Sequence, residues 1–296
     1  MLTNDGAGDK ICASVYLTIN NKFKLISETP HSHSLGLFYS SITGYLGLKP
    51  HEDEYKIMGL APYAESSDAS KILAIFEKLI WVEGLKFNSL IPSRQFGEYL
   101  KQHLYGYRFD HIAMVTQKHF ENLMVEWIKN AIKKTGIKNL CFAGGSFLNV
   151  KANMLINSIS YQLSAKSYFM PSPGDDTNAI GAAYYGYRLK VKSEKLKVNL
   201  KPILNLYLGT QYSKEEILKA LNKYKNIEYK KINNIEKEIA RLLAKGEVVA
   251  RFAGRMEFGA RALGNRSILA DPRNRDVVEK INKMIKMRDF WMPFAP

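Results

Sequence analysis

The run CFAGGSFLNVKAN, Cys141 to Asn153, constrains this chain more than any other stretch. A short apolar run ends in the adjacent glycines Gly144 and Gly145, and Asn149, four residues beyond Gly145, opens a segment of helical character. Strand, tight turn and helix in immediate succession bring backbone N–H groups up to a phosphate or nucleotide. Glycine has no Cβ to hold a ligand away, and a helix start leaves N–H groups unpaired. The later run PSPGDDTNAIGAAYYGY, Pro171 to Tyr187, repeats the grammar with a Pro-Gly turn, the paired carboxylates Asp175 and Asp176, and a small-residue helix. Two such units predict an α/β fold holding a nucleotide cleft with a metal-capable acidic group at its rim.

A chain of 296 residues can bury a sizeable core and is expected to form two domains. No apolar run reaches the ~18 residues of a membrane span, and no secretory signal pattern opens the chain, so the expected setting is cytoplasmic, without a membrane partner. The net charge of +15 is spread along the sequence and forms no basic stripe interleaved with aromatics. By itself it does not point to nucleic acid, which is not an expected partner; a lysine-rich proteome gives the same excess, and anionic small substrates also suit it. Cys12 and Cys141 lie far apart without metal spacing and are expected to be buried free thiols.

In chain order, Asn4-Asp5-Gly6-Ala7-Gly8-Asp9 is a carboxylate-bearing turn at the head of two strands, ICASVYLTI and KFKLISET, joined at Asn20-Asn21. Asp5, Gly6 and Gly8 read either as plain turn chemistry or as flexible backbone that approaches a phosphate. HSHSLGLFYSSITGYLG predicts a helix whose first turn follows Ser34, with Leu35, Phe38, Ile42 and Tyr45 on one face. His31 and His33, two apart in a loop, read as incidental. DEYKIMGLAPYA is a charged lead into a Met-Gly-Leu turn. Its Lys56 is placed to reach an anion, although a lone lysine also reads as a solvated charge. A helix is expected from Asp68 to about Trp81, and another over Gln117 to Thr135, whose apolar stripe reads as core and which Gly136 ends.

Residues 191–202, rich in lysine and without a core face, are the expected linker between a first domain over 1–190 and a second over 203–296. In the second, LNLYLG reads as a strand, and Ser213 with Glu216 forms a capping-box pattern ahead of a helix. The other chemical centre is GRMEFGARALGNRSILADPRNR, Gly254 to Arg275. Arg255, Arg261, Arg266, Arg273 and Arg275 stand in a glycine-punctuated loop against Glu257 and Asp271. Arginines in such a setting suit bidentate capture of phosphate or carboxylate, and Ser267 could add a hydroxyl donor. The alternative is arginines paired with acidic residues and helix ends.

Six runs in order, DGAGD, HSLGLFYSSITGYLG, DEYKIMGLAPYA, FAGGSFLNVKAN, GDDTNAIGAA and RMEFGARALGNRSILADPR, resemble the carbamoyltransferase family that includes NodU and the tobramycin and cephamycin carbamoyltransferases. The resemblance runs from Asp5 to Pro296. It implies the second half of an ATPase-like domain of the actin, Hsp70 and sugar-kinase type, followed by an incomplete YrdC-like α+β domain. It also implies O-carbamoyl transfer: carbamoyl phosphate and ATP form a carbamoyl-adenylate, and the carbamoyl group passes to a hydroxyl of a small acceptor such as a sugar. By similarity Asp5, Gly6 and Gly8 match the phosphate loop, Gly36 the nucleotide-contacting helix start, and Gly144, Gly145 and Asn149 the adenosine-side loop. Asp175 or Asp176 matches a carboxylate that binds a divalent metal, Fe or Mg/Mn. Arg255, Arg261 and Arg266 would neutralise phosphates in the adenylate-forming step.

The family carries a further stretch before its DGxG loop, with a first phosphate loop and an HxxxH metal pair that His31 and His33 do not match. RDFWMPFAP resembles a segment internal to the family's second domain. The resemblance therefore implies truncation at both ends, inactivity of the chain alone, and a possible partner chain supplying the missing N-terminal half. A tRNA threonylcarbamoyladenosine-type transferase and a non-catalytic nucleotide-binding subunit are the alternatives, and the RMEFGARALGNRSIL loop argues against the former.

Overall fold

The computed structural model describes residues 1–296 except 21, 65–68, 194–202, 204, 260, 293 and 295–296. Two compact units divide it, Met1–Gly186 and Tyr187–Pro296.

The first unit is a mixed α/β structure built on a five-stranded sheet. The strands β2 (Ile11–Ile19) and β3 (Lys22–Pro30) form the expected antiparallel pair, and β1 (Leu2–Gly8) adds a third antiparallel strand where the sequence predicts a turn over Asn4–Asp9, because Leu2–Asn4 pairs with Ala13–Val15. Helices α1 (Leu35–Tyr45), α2 (Glu54–Leu60) and α3 (Ala69–Leu79) follow, then a hairpin of β4 (Ile80–Glu83) and β5 (Lys86–Ser89), α4 (Phe96–His103) and the long α5 (Phe109–Thr135). The chain then adds β6 (Asn139–Ala143), α6 (Val150–Gln162), β7 (Lys166–Phe169) and α7 (Asn178–Ser193). In the sheet the order is β3-β2-β1-β6-β7, with β6 parallel to β1 and to β7. Strand β6 is joined to β7 through α6, and its parallel pairing with β1 places the ends of β1 and β6 side by side, where Asp5, Gly6, Gly144 and Gly145 lie.

Packing explains where the elements depart from expectation. The Met-Gly-Leu segment is the end of helix α2 rather than a turn: Ile57, Met58, Gly59 and Leu60 are buried against α5, and tertiary contact overrides the helix penalty of glycine. Helix α3 stops at Leu79, because Ile80–Glu83 pairs as a strand with Lys86–Ser89 and takes Trp81 with it; Asp68 lies outside the described residues. Helix α5 starts at Phe109, ahead of the expected Gln117, since buried Ile112, Ala113 and Val115 extend its apolar stripe. It ends at Gly136 in the left-handed region, φ 68°. The core centres on Phe38, Phe76, Phe96, Phe120 and Trp127, all fully buried or nearly so.

Cys12 is buried, but Cys141 is exposed, contrary to expectation. Strand alternation is the reason: Leu140 and Phe142 face the core while Asn139 and Cys141 face the other way. Phe142 stacks on Phe169 at 4.8 Å and lies 5.0 Å from Phe147.

In the second unit α8 (Lys214–Leu221) carries the predicted capping box, with the Glu216 N–H donating to Ser213 Oγ and the Ser213 N–H to Glu216 Oε2. Helix α9 (Ile235–Ala244) leads through Gly246 into a hairpin of β8 (Val249–Phe252) and β9 (Arg266–Leu269), and α10 (Asp276–Glu279) runs on into a π-helical turn over Lys280–Ile285. The LNLYLG segment is not a regular strand. It joins the loop after β8 through three backbone bonds, Phe258 N–H to Leu206 O, Gly209 N–H to Met256 O and Met256 N–H to Thr210 O. The expected linker 191–202 lies outside the described residues except for 191–193, whose backbone continues α7.

Candidate functional site

The first unit brings Asp5, Gly6, Gly36, Gly144 and Gly145 together at a crossing of bare backbone. Strand β1 leaves its ladder between Asn4 and Gly8, and this bulge re-aims the Asp5 side chain. Asp5 Oδ1 accepts the Gly6 N–H at 2.7 Å. Helix α1 presses its first turn onto this bulge, where a Cβ on Gly36 would stand 2.8 Å from Asp5 O and 2.9 Å from Gly6 N. From the other side come the glycines that follow β6. A Cβ on Gly144 would be 2.2 Å from Asn4 O, and one on Gly145 would be 2.9 Å from Asp5 Oδ1. Gly144 has φ 103° and ψ 153°, a conformation open essentially only to glycine.

Residues outside the predicted set hold this crossing. Ser34 caps α1 by accepting from Leu37 N–H, and its hydroxyl lies 2.6 Å from Gly6 O. Ser146 Oγ donates to buried Asn4 Oδ1 at 2.6 Å. The sequence signal for Ser34 is its N-cap position; Asn4 and Ser146, 142 residues apart, had none.

Asn149 caps α6 by accepting from Ala152 N–H, and exchanges two hydrogen bonds of 2.9 Å with Gln117. Gln117 in turn accepts from the Tyr39 hydroxyl and donates to Glu121. Burial, followed by the charges of Glu121 and Glu54, pushes the Tyr39 phenol well above its ordinary range, so Tyr39 stays a donor. Reading α5 as core alone missed Gln117, which sits on its buried stripe yet reaches the Asn149 amide.

The carboxylate loop is tied to the same crossing, since Gly144 N–H donates to Pro173 O at 2.8 Å. Asp175 and Asp176 are exposed on a single 3-10 turn ahead of α7. Ser172 Oγ donates to Asp176 Oδ2 at 2.6 Å, and Asn178 Nδ2 lies 3.4 Å from Asp175 Oδ1. Among the described residues no group of three or more His, Cys, Asp or Glu side chains could hold a metal ion. The two carboxylates thus fall short of a complete metal site, and His33 is engaged elsewhere, with Ser89.

Two predicted residues stand apart from the crossing. Gly8 faces Ile11 across the tight turn at Asp9 and Lys10, both at positive φ, and is a hairpin residue. Lys56 pairs with Asp53 at 3.3 Å, one turn earlier on its own helix.

The second unit holds the arginine loop between β8 and β9. Arg255 donates to Gly209 O and Leu208 O. Arg266 donates to Ala253 O, Gly254 O and Asn265 O, and its guanidinium lies 3.6 Å from the centroid of the Phe252 ring. Both therefore spend donors on framing the loop. Arg261 is exposed and makes no hydrogen bond or ion pair among the described residues. Ser267 Oγ accepts the Gly264 N–H, and Arg273 forms a forked pair with Asp271, which holds that carboxyl down at about 2. Glu257, to which the sequence reading gave no role beyond balancing charge, accepts three backbone N–H groups at one oxygen.

Residues 1–184 match the family model described as carbamoyltransferase N-terminus, and residues 240–296 the one described as carbamoyltransferase C-terminus. An uncharacterized protein of Synechocystis sp. is 33% identical over 320 residues, covering 100% of this chain and 51% of the relative. One of Methanocaldococcus jannaschii is 32% identical over 322 residues, with the same two shares. The nodulation protein NolO of Bradyrhizobium diazoefficiens is 30% identical over 300 residues, 99% of this chain and 53% of its own length. The chain spans about half the length of the relatives it matches.

Proposed function

Because the chain belongs to the carbamoyltransferase family, and so to the transferases, we propose that it serves ATP-dependent O-carbamoyl transfer, with the glycine crossing as the nucleotide side of the site. The observation that carries this reading is the meeting of Asp5-Gly6, Gly36 and Gly144-Gly145 at one crossing, with the Asp5 carboxylate lying against Gly145 and the Asp175-Asp176 loop tied to Gly144. The glycines let these turns pack backbone on backbone, which gathers the loops after β1 and β6 and the start of α1 at one place for a polyphosphate. The reading carries with it an actin and sugar-kinase type first unit, which the β3-β2-β1-β6-β7 order supports, and a YrdC-like second unit.

In the proposed sequence, carbamoyl phosphate is hydrolysed to carbamate and phosphate. A carbamate oxygen attacks the α-phosphorus of ATP and expels pyrophosphate. The acceptor hydroxyl then attacks the carbamoyl carbon of the adenylate, AMP leaves with the electron pair of the broken C–O bond, and the hydroxyl proton passes to solvent. Arg261, with donors unspent, meets phosphate charge, while Arg255 and Arg266 hold the loop that presents it. A divalent cation would polarise the carbamoyl carbonyl, with Asp175 or Asp176 as the carboxylate offered by this chain and the further ligands coming from outside its described residues.

Titration calorimetry tests the reading with ATP and carbamoyl phosphate on the wild type, Gly145→Val and Arg261→Ala. Gly145→Val should abolish ATP binding, and Arg261→Ala should weaken carbamoyl phosphate about tenfold, the scale of one charge-assisted contact. A wild-type chain that binds neither ligand overturns the proposal.

A further inference from the structure

We propose that Glu257 is the positioning residue of the arginine loop: its carboxylate is a fixed internal anion that sets the loop so that Arg261 faces solution as its free cation. The inference rests on the proposed role of that loop in binding an anionic donor.

Thirteen residues separate β8 from β9, a length at which a loop is ordinarily loose. This one is closed from within. Glu257 Oε1 accepts from Leu263 N–H at 3.0 Å, Asn265 N–H at 2.7 Å and Arg266 N–H at 3.0 Å. Three N–H groups converging on one oxygen make the kind of backbone nest that ordinarily receives a ligand anion. Here the chain fills it with its own carboxylate. Partial desolvation opposes ionisation of Glu257, but the donors of Arg266, Leu263 and Asn265 outweigh it and bring the carboxyl down to about 2, so the group is an anion at all working pH values.

The remaining contacts follow from that anchor. Gly254, Gly259 and Gly264 take positive φ, which lets the loop fold back over a side chain it contains. Asn265, held by Glu257, donates its amide to Arg255 O, and its carbonyl receives the Ala253 N–H and an Arg266 N–H. Arg266, also held through its N–H, lays its guanidinium on Phe252. Arg255 and Arg266 thereby spend part of their donors on carbonyls and are fixed to the loop, which separates their job from that of Arg261. A carboxylate beside an anion site would repel the ligand if its charge were free. With its charge directed into three N–H groups, its structural contribution outweighs the repulsion, so removing the charge should weaken binding.

A double-mutant cycle on the 296-residue chain tests this, with carbamoyl phosphate and, as a stable probe, pyrophosphate in titration calorimetry. Arg261→Ala should bind about tenfold more weakly than wild type, and Glu257→Gln, which keeps an acceptor and loses the charge, by a similar factor. The double variant should bind no more weakly than Arg261→Ala, because Glu257 acts through Arg261. A purely structural lesion would instead add its loss to that of Arg261→Ala. Amide exchange should rise at Leu263, Asn265 and Arg266 in Glu257→Gln while α8 and α9 keep their protection. Wild-type binding by Glu257→Gln, or additive losses in the double variant, overturns the positioning role and leaves the anion-loop reading standing. Wild-type binding by Arg261→Ala removes both.

Discussion

Substitution of Gly144 by alanine isolates the physical basis of the crossing. The new methyl would sit 2.2 Å from Asn4 O, 2.7 Å from Asn4 C and 2.9 Å from Asn4 N, all backbone atoms of a paired strand that cannot rotate aside. Overpacking of this kind costs about 1–3 kcal/mol. The backbone at φ 103° and ψ 153° adds ~1–3 kcal/mol for any residue with a Cβ. Together these give about 2–6 kcal/mol, a large share of the ~5–15 kcal/mol that stabilises a domain. For a unit of the size of Met1–Gly186, at roughly 2–4 °C per kcal/mol, the melting temperature should fall by between about 4 and 24 °C. Gly145→Ala is the control in the same turn. Its methyl would meet only the Asp5 carboxylate, with Oδ1 at 2.9 Å, and a side chain can swing away. That variant should melt within a few degrees of wild type yet lose ATP affinity, since the displaced carboxylate moves into the approach path. Thermal unfolding followed by circular dichroism, with ATP titration on both variants, gives the comparison. A Gly144→Ala protein that melts with the wild type, or a Gly145→Ala protein as unstable as it, refutes the reasoning.

Burial of His119 lowers its pKa from 6.5 to about 4, against the opposing effect of its bond to Ile80 O. The unfolded chain therefore takes up the proton first, and stability present above pH ~6.5 should decline by up to about 3 kcal/mol as pH falls to ~4, with a shallower acid limb in His119→Phe. Thiol titration of the native protein should count Cys141 alone, because Cys12 is buried and its thiol pushed up to about 12; two rapidly reacting thiols before denaturant would contradict its burial. Asn149→Ala should cost about 1–3 kcal/mol in denaturant unfolding, through the lost α6 cap and the amide partner of Gln117, and Asn149→Asp should recover the cap alone.

What could be read from the sequence follows the reach of each signal. The β2–β3 pair, the cap at Ser34, the end of α5 at Gly136 and the glycine turn after β6 rest on local chemistry, so spacing and residue type suffice for them. That Asp5, Gly36 and Gly145 meet could not be read from periodicity, because it depends on a parallel pairing of Leu2 with Phe142 between strands far apart in the chain. The helix at Glu54–Leu60 was hidden for a similar reason: its glycine argues for a turn until α5 is there to bury it. Cys141 shows the reverse failure. An apolar run suggests burial on both faces, yet only one face of β6 is covered.

The two chemical centres reach their geometry by opposite means. In the first unit the geometry of the proposed site depends on missing side chains: Gly36, Gly144 and Gly145 each remove a Cβ that would collide with Asn4 or with the Asp5-Gly6 bulge, and any addition there is a steric event. In the second unit the geometry of the proposed site depends on side chains that are occupied. Arg255 and Arg266 donate to carbonyls, Glu257 accepts N–H groups, and among the described residues the loop arginine whose donors are all unspent is Arg261. A cluster of arginines in sequence thus overstates the number available to a ligand, since a polar loop must first satisfy its own backbone. The same accounting separates the expected phenotypes. Losses at Arg255 or Arg266 should appear in loop protection as well as in affinity, whereas a loss at Arg261 should appear in affinity alone.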